Sequence, residues 1–444
     1  MRIAFFTPLN PVRSGIADYS EELLPYLADL AEVDIVIDDY RPASEEITRR
    51  FPILNAAGFL KNRDSYDCAI YQVGNNFQSA GYMLPCMQAA PGIAVIHDYS
   101  LTYLMLPLTA QRGDLDSLEA MLGPTHGERS RAAAWRMTLG GLDPYQVSLA
   151  RPIVEMSRAV IVHNRHAFRK LKAEFPGVRL EHIPHATPIH EPRRDLDSLR
   201  AAYGFAAGDF ILASVSSVAY NKRLPIVLGA LRDLRREHPG LKFVMVGQGD
   251  LGSAGRALIR RYGLERNVVQ TGWVSSQQYL DYIDLADVVV DLRYPTAGET
   301  SGSSLRALQA GKPLVVSAEG FFLELPDACC VRLPVDGRER EALRRALADL
   351  IGDEQKRRTM GAAGREFAVT HLRREQAAQS YFELAREVAA ARYAPARAWN
   401  FREQPDRSPR GRLVSAAYKA GRVAYYYRRY GLGGTWKRIR SEVG

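Results

Sequence analysis

The sequence predicts an α/β protein of two domains, each built on a parallel β-sheet with helices on both faces. Short β-branched and aromatic segments alternate with amphipathic segments of helix length, which is the pattern of parallel sheets. A segment rich in Pro and Arg at residues 187–197 divides this alternation into two similar halves. The 444 residues suffice for two or three domains. We therefore expect two doubly wound, Rossmann-like domains that face a central cleft across one hinge.

Twelve segments have the apolar, β-branched composition of buried strands. They are residues 3–7, 33–37, 68–73, 93–97, 159–163 and 180–183 in the first half, and 210–215, 242–246, 268–271, 288–292, 314–317 and 330–333 in the second. Helices are expected between them, for example at 17–29, 225–237, 275–283 and 305–310, and throughout 339–391. The predicted domains are 1–190 and 191–375, followed by a helix at 376–395 that returns to the first domain and a tail at 396–444.

The net positive charge of the chain comes from this tail. The net charge is +9, and residues 396–444 hold twelve Lys and Arg against three Asp and Glu, so the remainder is neutral. This distribution argues against a nucleic-acid-binding core and favours an anionic surface near the C-terminus. Aromatic and basic residues are interleaved at 410–440, which predicts either a helix lying on an anionic membrane or a solvated arm.

No segment predicts secretion, membrane insertion, a metal site or a cofactor. The apolar run at 3–6 is too short for a signal peptide, and no run approaches the ~18 residues that span a bilayer. The four cysteines lack CxxC or zinc-ligand spacing, which indicates reduced thiols. The acidic pair Asp195 and Asp197 lies in the linker and not at a strand end, so it is discounted as a metal motif. We expect a cytoplasmic protein.

The most informative segment is 291–316. A strand ends near Leu292, a polar loop follows, and a helix begins near 301–304. Small residues at a helix start leave backbone N–H groups available to an anion, and the helix dipole adds to this attraction. Glu299 would repel phosphate, so its carboxylate suits sugar hydroxyls better; a plain strand–helix turn is the alternative. The predicted anion-binding residues are Thr300, Ser301, Gly302 and Ser303.

This segment resembles the retaining GT-B glycosyltransferases of family 4, the glycosyl transferases group 1. The end of their signature is matched by residues 310–316, a small residue, Gly, Lys and Pro before an apolar strand. The family usually has two glutamates with seven residues between them. Here Gly298 holds the first position, with Glu299 one place later, and Arg306 holds the second. The resemblance implies that Glu299 contacts the donor sugar. Arg306 cannot accept hydrogen bonds from a ribose and would instead help to neutralise the diphosphate.

Other segments of the second half agree with this resemblance. Lys222 matches the lysine of a basic pair that binds the donor diphosphate, while the expected arginine is Ser217, so that Arg223 or Arg293 would compensate. Gly249 belongs to a Gly-x-Gly turn after the second strand of this domain. Val274 lies in a turn that lines the base pocket in the family, next to Trp273, which is either a stacking platform for the base or a core residue.

The first half carries the acceptor side in this resemblance. Gly15 lies in a loop like the family's first loop, where glycine lets backbone approach the donor phosphates, unless Ser14 merely caps a helix. His97 follows a buried strand, where a family histidine touches the transferred sugar; a structural histidine is the alternative. The acceptor-side residues are Asn75, Asn76 and Asp98. The histidines interpreted as structural are His163, His166 and His185.

The resemblance implies a metal-independent hexosyltransferase with His97, Glu299 and Lys222 as catalytic candidates. It would move a sugar from a nucleoside-diphosphate sugar to a glycan or lipid-linked acceptor with retention of configuration, in polysaccharide or glycolipid biosynthesis. Two alternatives stay open. One is a nucleotide-sugar epimerase of the same architecture, and the other is a non-catalytic partner that binds a nucleotide sugar.

Overall fold

The computed structural model describes residues 1–391, 397–399 and 401–443, with side chains through residue 429 in the last helix. The chain divides into two compact units. The first comprises Met1–Ala186, Ala297–Thr300 and Arg374–Tyr425, and the second comprises Thr187–Thr296, Ser301–Arg373 and Tyr426–Gly444. The short segment 297–300 therefore belongs to the first unit, although the residues on either side of it belong to the second.

The first unit is built on a seven-stranded parallel sheet of order β3-β2-β1-β4-β5-β6-β7. The strands are β1 (Arg2–Phe6), β2 (Glu32–Ile37), β3 (Ile53–Asn55), β4 (Cys68–Val73), β5 (Ile93–Ile96), β6 (Ala159–Val162) and β7 (Leu180–His182). Alternate residues face opposite sides, as the pleat requires: Ala4 and Phe6 join one core, and Ile3 and Phe5 join the other. Both faces are therefore buried, which explains the uniformly apolar strands.

Helices cover both faces of this sheet. They are α1 (Gly15–Ala28), α2 (Glu45–Arg50), α3 (Ala56–Asn62), α4 (Phe77–Ala80), α5 (Met83–Ala89), α6 (Thr102–Met105), α7 (Leu115–His126), α8 (Ser130–Thr138), α9 (Arg151–Glu155) and α10 (Arg165–Glu174). Two further helices come from the end of the chain: α18 (Arg374–Ala390) belongs wholly to this unit, and α19 (Pro409–Val443) belongs to it as far as Tyr425. Tyr381 of α18 shares a buried hydrogen bond with Tyr19 of α1, 3.0 Å between the hydroxyl oxygens.

The second unit holds a six-stranded parallel sheet of order β10-β9-β8-β11-β12-β13. Its strands are β8 (Phe210–Val215), β9 (Leu241–Val246), β10 (Val268–Gly272), β11 (Val288–Asp291), β12 (Leu314–Ser317) and β13 (Cys330–Leu333). Its helices are α11 (Leu196–Ala202), α12 (Leu224–Leu234), α13 (Gly252–Tyr262), α14 (Ser276–Leu285), α15 (Gly302–Gln309), α16 (Glu339–Gly352) and α17 (Glu354–His371). Asp195 caps α11 by accepting a hydrogen bond from the Ser198 N–H at 3.2 Å, which is a structural task.

The predicted fold class of two doubly wound, Rossmann-like domains is confirmed, and all twelve predicted strands are present within about one residue of their expected ends. The edge strand β3 was not predicted, because only two of its three residues are apolar. The tail at 396–444 differs more from its prediction. Trp399, Val414 and Tyr418 belong to a core of the first unit, so this part of 396–444 is packed and not a solvated arm.

Candidate active site

Several of the predicted site residues lie in loops after the strands at which each sheet reverses its order of connection. In the second unit β8 lies beside β11; Lys222 follows β8 and Asp291 ends β11. In the first unit β1 lies beside β4; Gly15 follows β1 and Asn75 follows β4. Ligands of open α/β sheets bind outside the carboxyl ends of strands at such reversals. Each unit therefore places some of its candidate residues where its topology favours a ligand.

A buried carboxylate, Asp291, organises the site of the second unit. Its Oδ1 lies 3.1 Å from Lys222 Nζ and 3.0 Å from Arg293 Nε. Its Oδ2 accepts hydrogen bonds from the hydroxyls of Ser301 at 2.5 Å and Ser304 at 2.9 Å. We call these five residues the Asp291 cluster. It joins the loop after β8, the end of β11 and the first turn of α15.

The Asp291 cluster keeps its carboxylate ionised and carries excess positive charge. Burial alone would raise the pKa of Asp291, but the charges of Arg293 and Lys222 and the hydrogen bonds from Arg293 and Ser301 hold that pKa well below its usual range. Two cations thus accompany one carboxylate, which leaves one formal positive charge at the strand ends. Such a charge favours an anionic ligand there.

The start of α15 contributes the predicted anion-binding residues. Ser301 is buried and caps the helix, accepting from the Ser304 N–H at 3.3 Å and from Arg293 Nη2 at 2.7 Å. Its hydroxyl is therefore engaged inside the protein. Gly302 and Ser303 form the half-exposed first turn, with Ser303 Oγ 3.2 Å from Ser301 Oγ. One turn later, the guanidinium of Arg306 lies over the ring of Tyr279, 5.9 Å from its centroid.

The remaining donor-side residues occupy separate positions in the second unit. Arg223 pairs with the buried Glu339, with 2.9 Å between Nε and Oε2, rather than joining the Asp291 cluster. Gly249 follows β9, and its carbonyl accepts from Gln270 Nε2 at 2.8 Å. Val274 packs against the core at the turn after β10. Trp273 beside it is 53% exposed, so it is not the core residue that the sequence left open.

The first unit holds Glu299 in a loop with several fixed backbone contacts. Asn164 Nδ2 donates to the Gly298 carbonyl at 3.0 Å and to Thr300 Oγ1 at 2.9 Å. The Ser100 N–H donates to the Ala297 carbonyl at 2.9 Å. These bonds bracket Glu299 on both sides. They fix the backbone that carries its carboxylate.

Gly298 has no room for the glutamate that the family pattern places at this position. Its φ is +78°, and a Cβ at this position would lie 2.4 Å from Cβ of Tyr99. A side chain at 298 is therefore excluded both by the backbone conformation and by the neighbouring residue. The carboxylate of this loop is instead carried by the next residue, Glu299.

His97 belongs to a group of aromatic side chains in the first unit, in which His163 and Tyr19 are buried and His97 and His185 are half-buried. Its Nε2 lies 2.7 Å from Gln72 Oε1, and its ring centroid is 4.8 Å from that of His163. His163 Nδ1 donates to the Ile183 carbonyl at 2.9 Å, and His185 and Tyr19 complete the group. Burial, followed by the nearby His163 and His185, holds the pKa of His97 well below its usual value. His97 is therefore a neutral imidazole at neutral pH.

Burial also lowers the pKa of His163 to about 4, although its hydrogen bond to Ile183 opposes the change. His166, at the start of α10, has its pKa lowered to about 4 by burial and then by Lys170 and Arg169, while the charge of Glu299 acts in the opposite direction. His163 is buried, whereas His166 is half-buried. Because the charge of Glu299 affects the pKa of His166, the two side chains lie near each other.

The residues predicted to lie on the acceptor side are engaged in local hydrogen bonds. Asn75 Oδ1 accepts from the Tyr103 N–H at 2.7 Å, and the Asn75 N–H donates to Asp98 Oδ2 at 3.1 Å. Asn76 caps α4 through the Gln78 N–H at 2.9 Å. What the two asparagines can offer an acceptor is therefore their amide NH2 groups. Gly15 begins α1 in open space, since a Cβ at this position would meet no atom within 4 Å, and Ser14 caps the helix through the Ile16 N–H at 3.2 Å.

Sequence reasoning missed the residues that organise the site through long-range contacts. Asp291 and Ser304 were not singled out, and Asn164 was not considered. A charged residue at the end of an apolar strand is a signal that could have identified Asp291, because such a residue needs partners when buried. Asn164 carries the weaker signal of an Asn before a helix. In the described part of the chain, no group of three His, Cys, Asp or Glu is arranged to hold a metal ion.

Solved structures share this two-domain architecture. HepE of Anabaena, solved with UDP and glucose, matches with a TM-score of 0.63 over 87% of this chain and 100% of its own, at 17% identity. Sucrose-phosphate synthase of Thermosynechococcus elongatus matches with a TM-score of 0.64 over 88% and 99%, also at 17% identity. The fold is thus that of the GT-B glycosyltransferases.

Sequence comparisons match the second domain to a family and parts of the chain to named relatives. Residues 195–367 match the family described as "Glycosyl transferases group 1". A GDP-mannose-dependent alpha-(1-6)-phosphatidylinositol monomannoside mannosyltransferase of Mycobacterium tuberculosis is 27% identical over 65% of this chain and 74% of its own length. An alpha-monoglucosyldiacylglycerol synthase of Streptococcus pneumoniae is 25% identical over 30% of each. The second domain is a group 1 glycosyltransferase domain, and the protein is a glycosyltransferase of the hexosyltransferase type.

The buried histidines predict a loss of stability in mild acid. His163 titrates near 6.5 when unfolded and near 4 when folded, so the unfolded chain binds more protons between these values. Its stabilising effect is full above about pH 6.5 and declines by up to ~3 kcal/mol as the pH falls toward 4. Chemical unfolding from pH 7 to 4.5 measures this. His163→Asn keeps a donor for Ile183 and should flatten the dependence, whereas the exposed His371→Asn should not; equal profiles for all three proteins would contradict the explanation.

The loop contacts predict that Asn164 acts by positioning Glu299. Asn164→Asp keeps the oxygen that caps α10 but loses both hydrogen bonds to the loop, so kcat should fall about tenfold, and Tm should fall as well because the new carboxylate is buried beside two acceptors. Thr300→Val, which removes one of the two acceptors, should give a smaller decrease. In a Glu299→Gln background the Asn164→Asp change should have little further effect, because both changes act on one group. Additive losses in this double-mutant cycle would refute the positioning role.

Proposed function

We propose that the protein transfers a hexose from a nucleoside-diphosphate sugar to a lipid-linked or glycan acceptor, with retention of configuration and without a metal ion. The observation that carries this proposal is the Asp291 cluster. Lys222 and Arg293 pair with the buried carboxylate of Asp291, which lies next to the start of α15. All three residues lie within the segment that matches the family. Two cations and the first-turn amides would bind the diphosphate and stabilise the charge that develops on it as it leaves.

The donor sugar is proposed to lie against Glu299 and His97. The carboxylate of Glu299 accepts hydrogen bonds from sugar hydroxyls, and His97, held by Gln72, presents a neutral ring. In a retaining transfer of this type the acceptor oxygen attacks the anomeric carbon from the face of the leaving group. The bond from that carbon to the diphosphate breaks, and the departing diphosphate takes the acceptor's proton. No carboxylate base is therefore assigned.

The acceptor proposal draws on the names of two relatives. One names a phosphatidylinositol monomannoside and GDP-mannose, and the other a monoglucosyldiacylglycerol. We propose a glycolipid acceptor and GDP-mannose as the first donor to test. Among the described residues, no helix combines the length and apolar character that crossing a bilayer requires. We propose a cytoplasmic protein held at the inner face of the membrane through 410–440, of which the side chains from 430 onward lie outside the described residues.

Turnover of radiolabelled GDP-mannose and UDP-glucose, with lipid acceptors and EDTA present, tests this proposal. Glu299→Gln and Lys222→Met should each lower kcat about 100-fold, because each removes a group that acts on the transition state. The exposed Glu366→Gln is the matched control and should leave kcat unchanged. Product with the opposite anomeric configuration, dependence on a metal ion, or full activity in Lys222→Met would each contradict a part of the proposal. Conversion of a nucleotide sugar without any acceptor would indicate an epimerase instead.

A further inference from the structure

The first half of α19 has one face fixed against the first unit. Val414, Tyr418 and Tyr425 are buried on this side, and Ser415 Oγ donates to the Gln111 carbonyl at 2.9 Å. Gly421 lies so close to α8 that a Cβ would be 2.3 Å from the Thr138 carbonyl oxygen. Gly411 is also buried. The glycines, which weaken a free helix, are here points of close contact, and the orientation of the helix is set.

The opposite face of α19 is exposed and largely apolar. Leu413 is 61% exposed, Val423 45% and Tyr427 53%. Ala416, Ala420 and Ala424 are exposed between them. At 100° per residue these six side chains fall within an arc of about 100°, and they extend for about 21 Å along the axis. We call this surface the α19 outer face.

Exposed large hydrophobic residues are concentrated here. Eight are exposed in the described part of the chain, and three of them belong to the α19 outer face. A fourth, Leu139, follows α8 beside the close contact with Gly421. Contiguous apolar surface of this kind marks an interaction site more often than scattered exposed residues do.

Basic side chains border this face on both edges. Arg412 and Lys419 lie along one edge and Arg428 along the other, all exposed. No Asp or Glu occurs between residues 409 and 429. Two copies of this face would oppose cation to cation, which disfavours self-association. An apolar stripe bordered by cations instead matches a surface of anionic headgroups over an apolar interior.

We propose that the α19 outer face docks on an anionic lipid bilayer, with Leu413, Val423 and Tyr427 among the headgroups and acyl chains. The buried face keeps the helix attached to the protein, so the contact is peripheral. This inference rests on the membrane contact proposed above for 410–440 and assigns it to one face of α19. Vesicle binding requires no donor and no turnover, so it fails or succeeds independently of the proposed sugar transfer.

Flotation of the full-length protein with vesicles tests the proposal. The protein should bind vesicles of phosphatidylcholine mixed with phosphatidylglycerol, and bind phosphatidylcholine alone at least about tenfold more weakly. Leu413→Ser/Val423→Ser should weaken binding to the mixed vesicles about tenfold or more. The matched control is Ile189→Ser/Leu323→Ser, which replaces two hydrophobic residues of similar exposure elsewhere and should bind as the wild type does.

A second pair of variants separates charge from apolar contact. Arg412→Glu/Lys419→Glu should lose the preference for anionic vesicles, whereas Lys61→Glu/Arg236→Glu, with the same change in net charge at exposed sites, should retain it. Absence of wild-type binding, or equal binding by each variant and its control, would overturn the proposal. So would a dimer in light scattering that the Leu413→Ser/Val423→Ser change dissociates, since the face would then serve self-association.

Discussion

The ion pairs of the buried Asp291 are the interaction on which the site of the second domain depends. A carboxylate removed from water without partners would cost several kcal/mol. Asp291 is instead met by Lys222 from the loop after β8, by Arg293 two residues on, and by two hydroxyls at the start of α15. The same contacts that satisfy the carboxylate set the first turn of the helix and place two cations at the strand ends. The same contacts of Asp291 therefore fix the local backbone and place the positive charge at the strand ends.

The main feature of the candidate site in the first domain is the placement of a single carboxylate. Glu299 lies in a loop whose carbonyls and hydroxyl are held by Asn164 and Ser100, and Tyr99 leaves no room for a side chain at 298. A glutamate at the family position, 298, is thus excluded on steric grounds. His97 is held in a closed, neutral environment by Gln72 and the neighbouring imidazoles. The candidate residues of the first domain are thus distinguished by fixed position and removal from water, and not by an excess of charge.

The sequence predicted the strands well because strands buried on both faces are continuous apolar runs. It predicted the chemistry at the strand ends from residue type, as with Lys222 and Ser301. It did not predict the partners, because Asp291 meets Lys222 across 69 residues of chain, and no local pattern reports such a contact. The helices at 102–155 are short and interrupted by Gly and Pro, which obscures their period. In α19, Gly411 and Gly421 locally disfavour a helix, but in the structure they allow the helix to pack closely against the first unit.

The binding of a nucleoside diphosphate tests the central claim, that the Asp291 cluster is an anion site, most directly. Thermal shift with UDP, GDP and ADP in EDTA should show one diphosphate that raises Tm, by about 5 °C or more at 100-fold excess over Kd. Lys222→Met should lose most of that shift, and Lys356→Met, a change at an exposed lysine of the same domain, should keep it. No shift with any diphosphate, or an undiminished shift in Lys222→Met, would contradict the account.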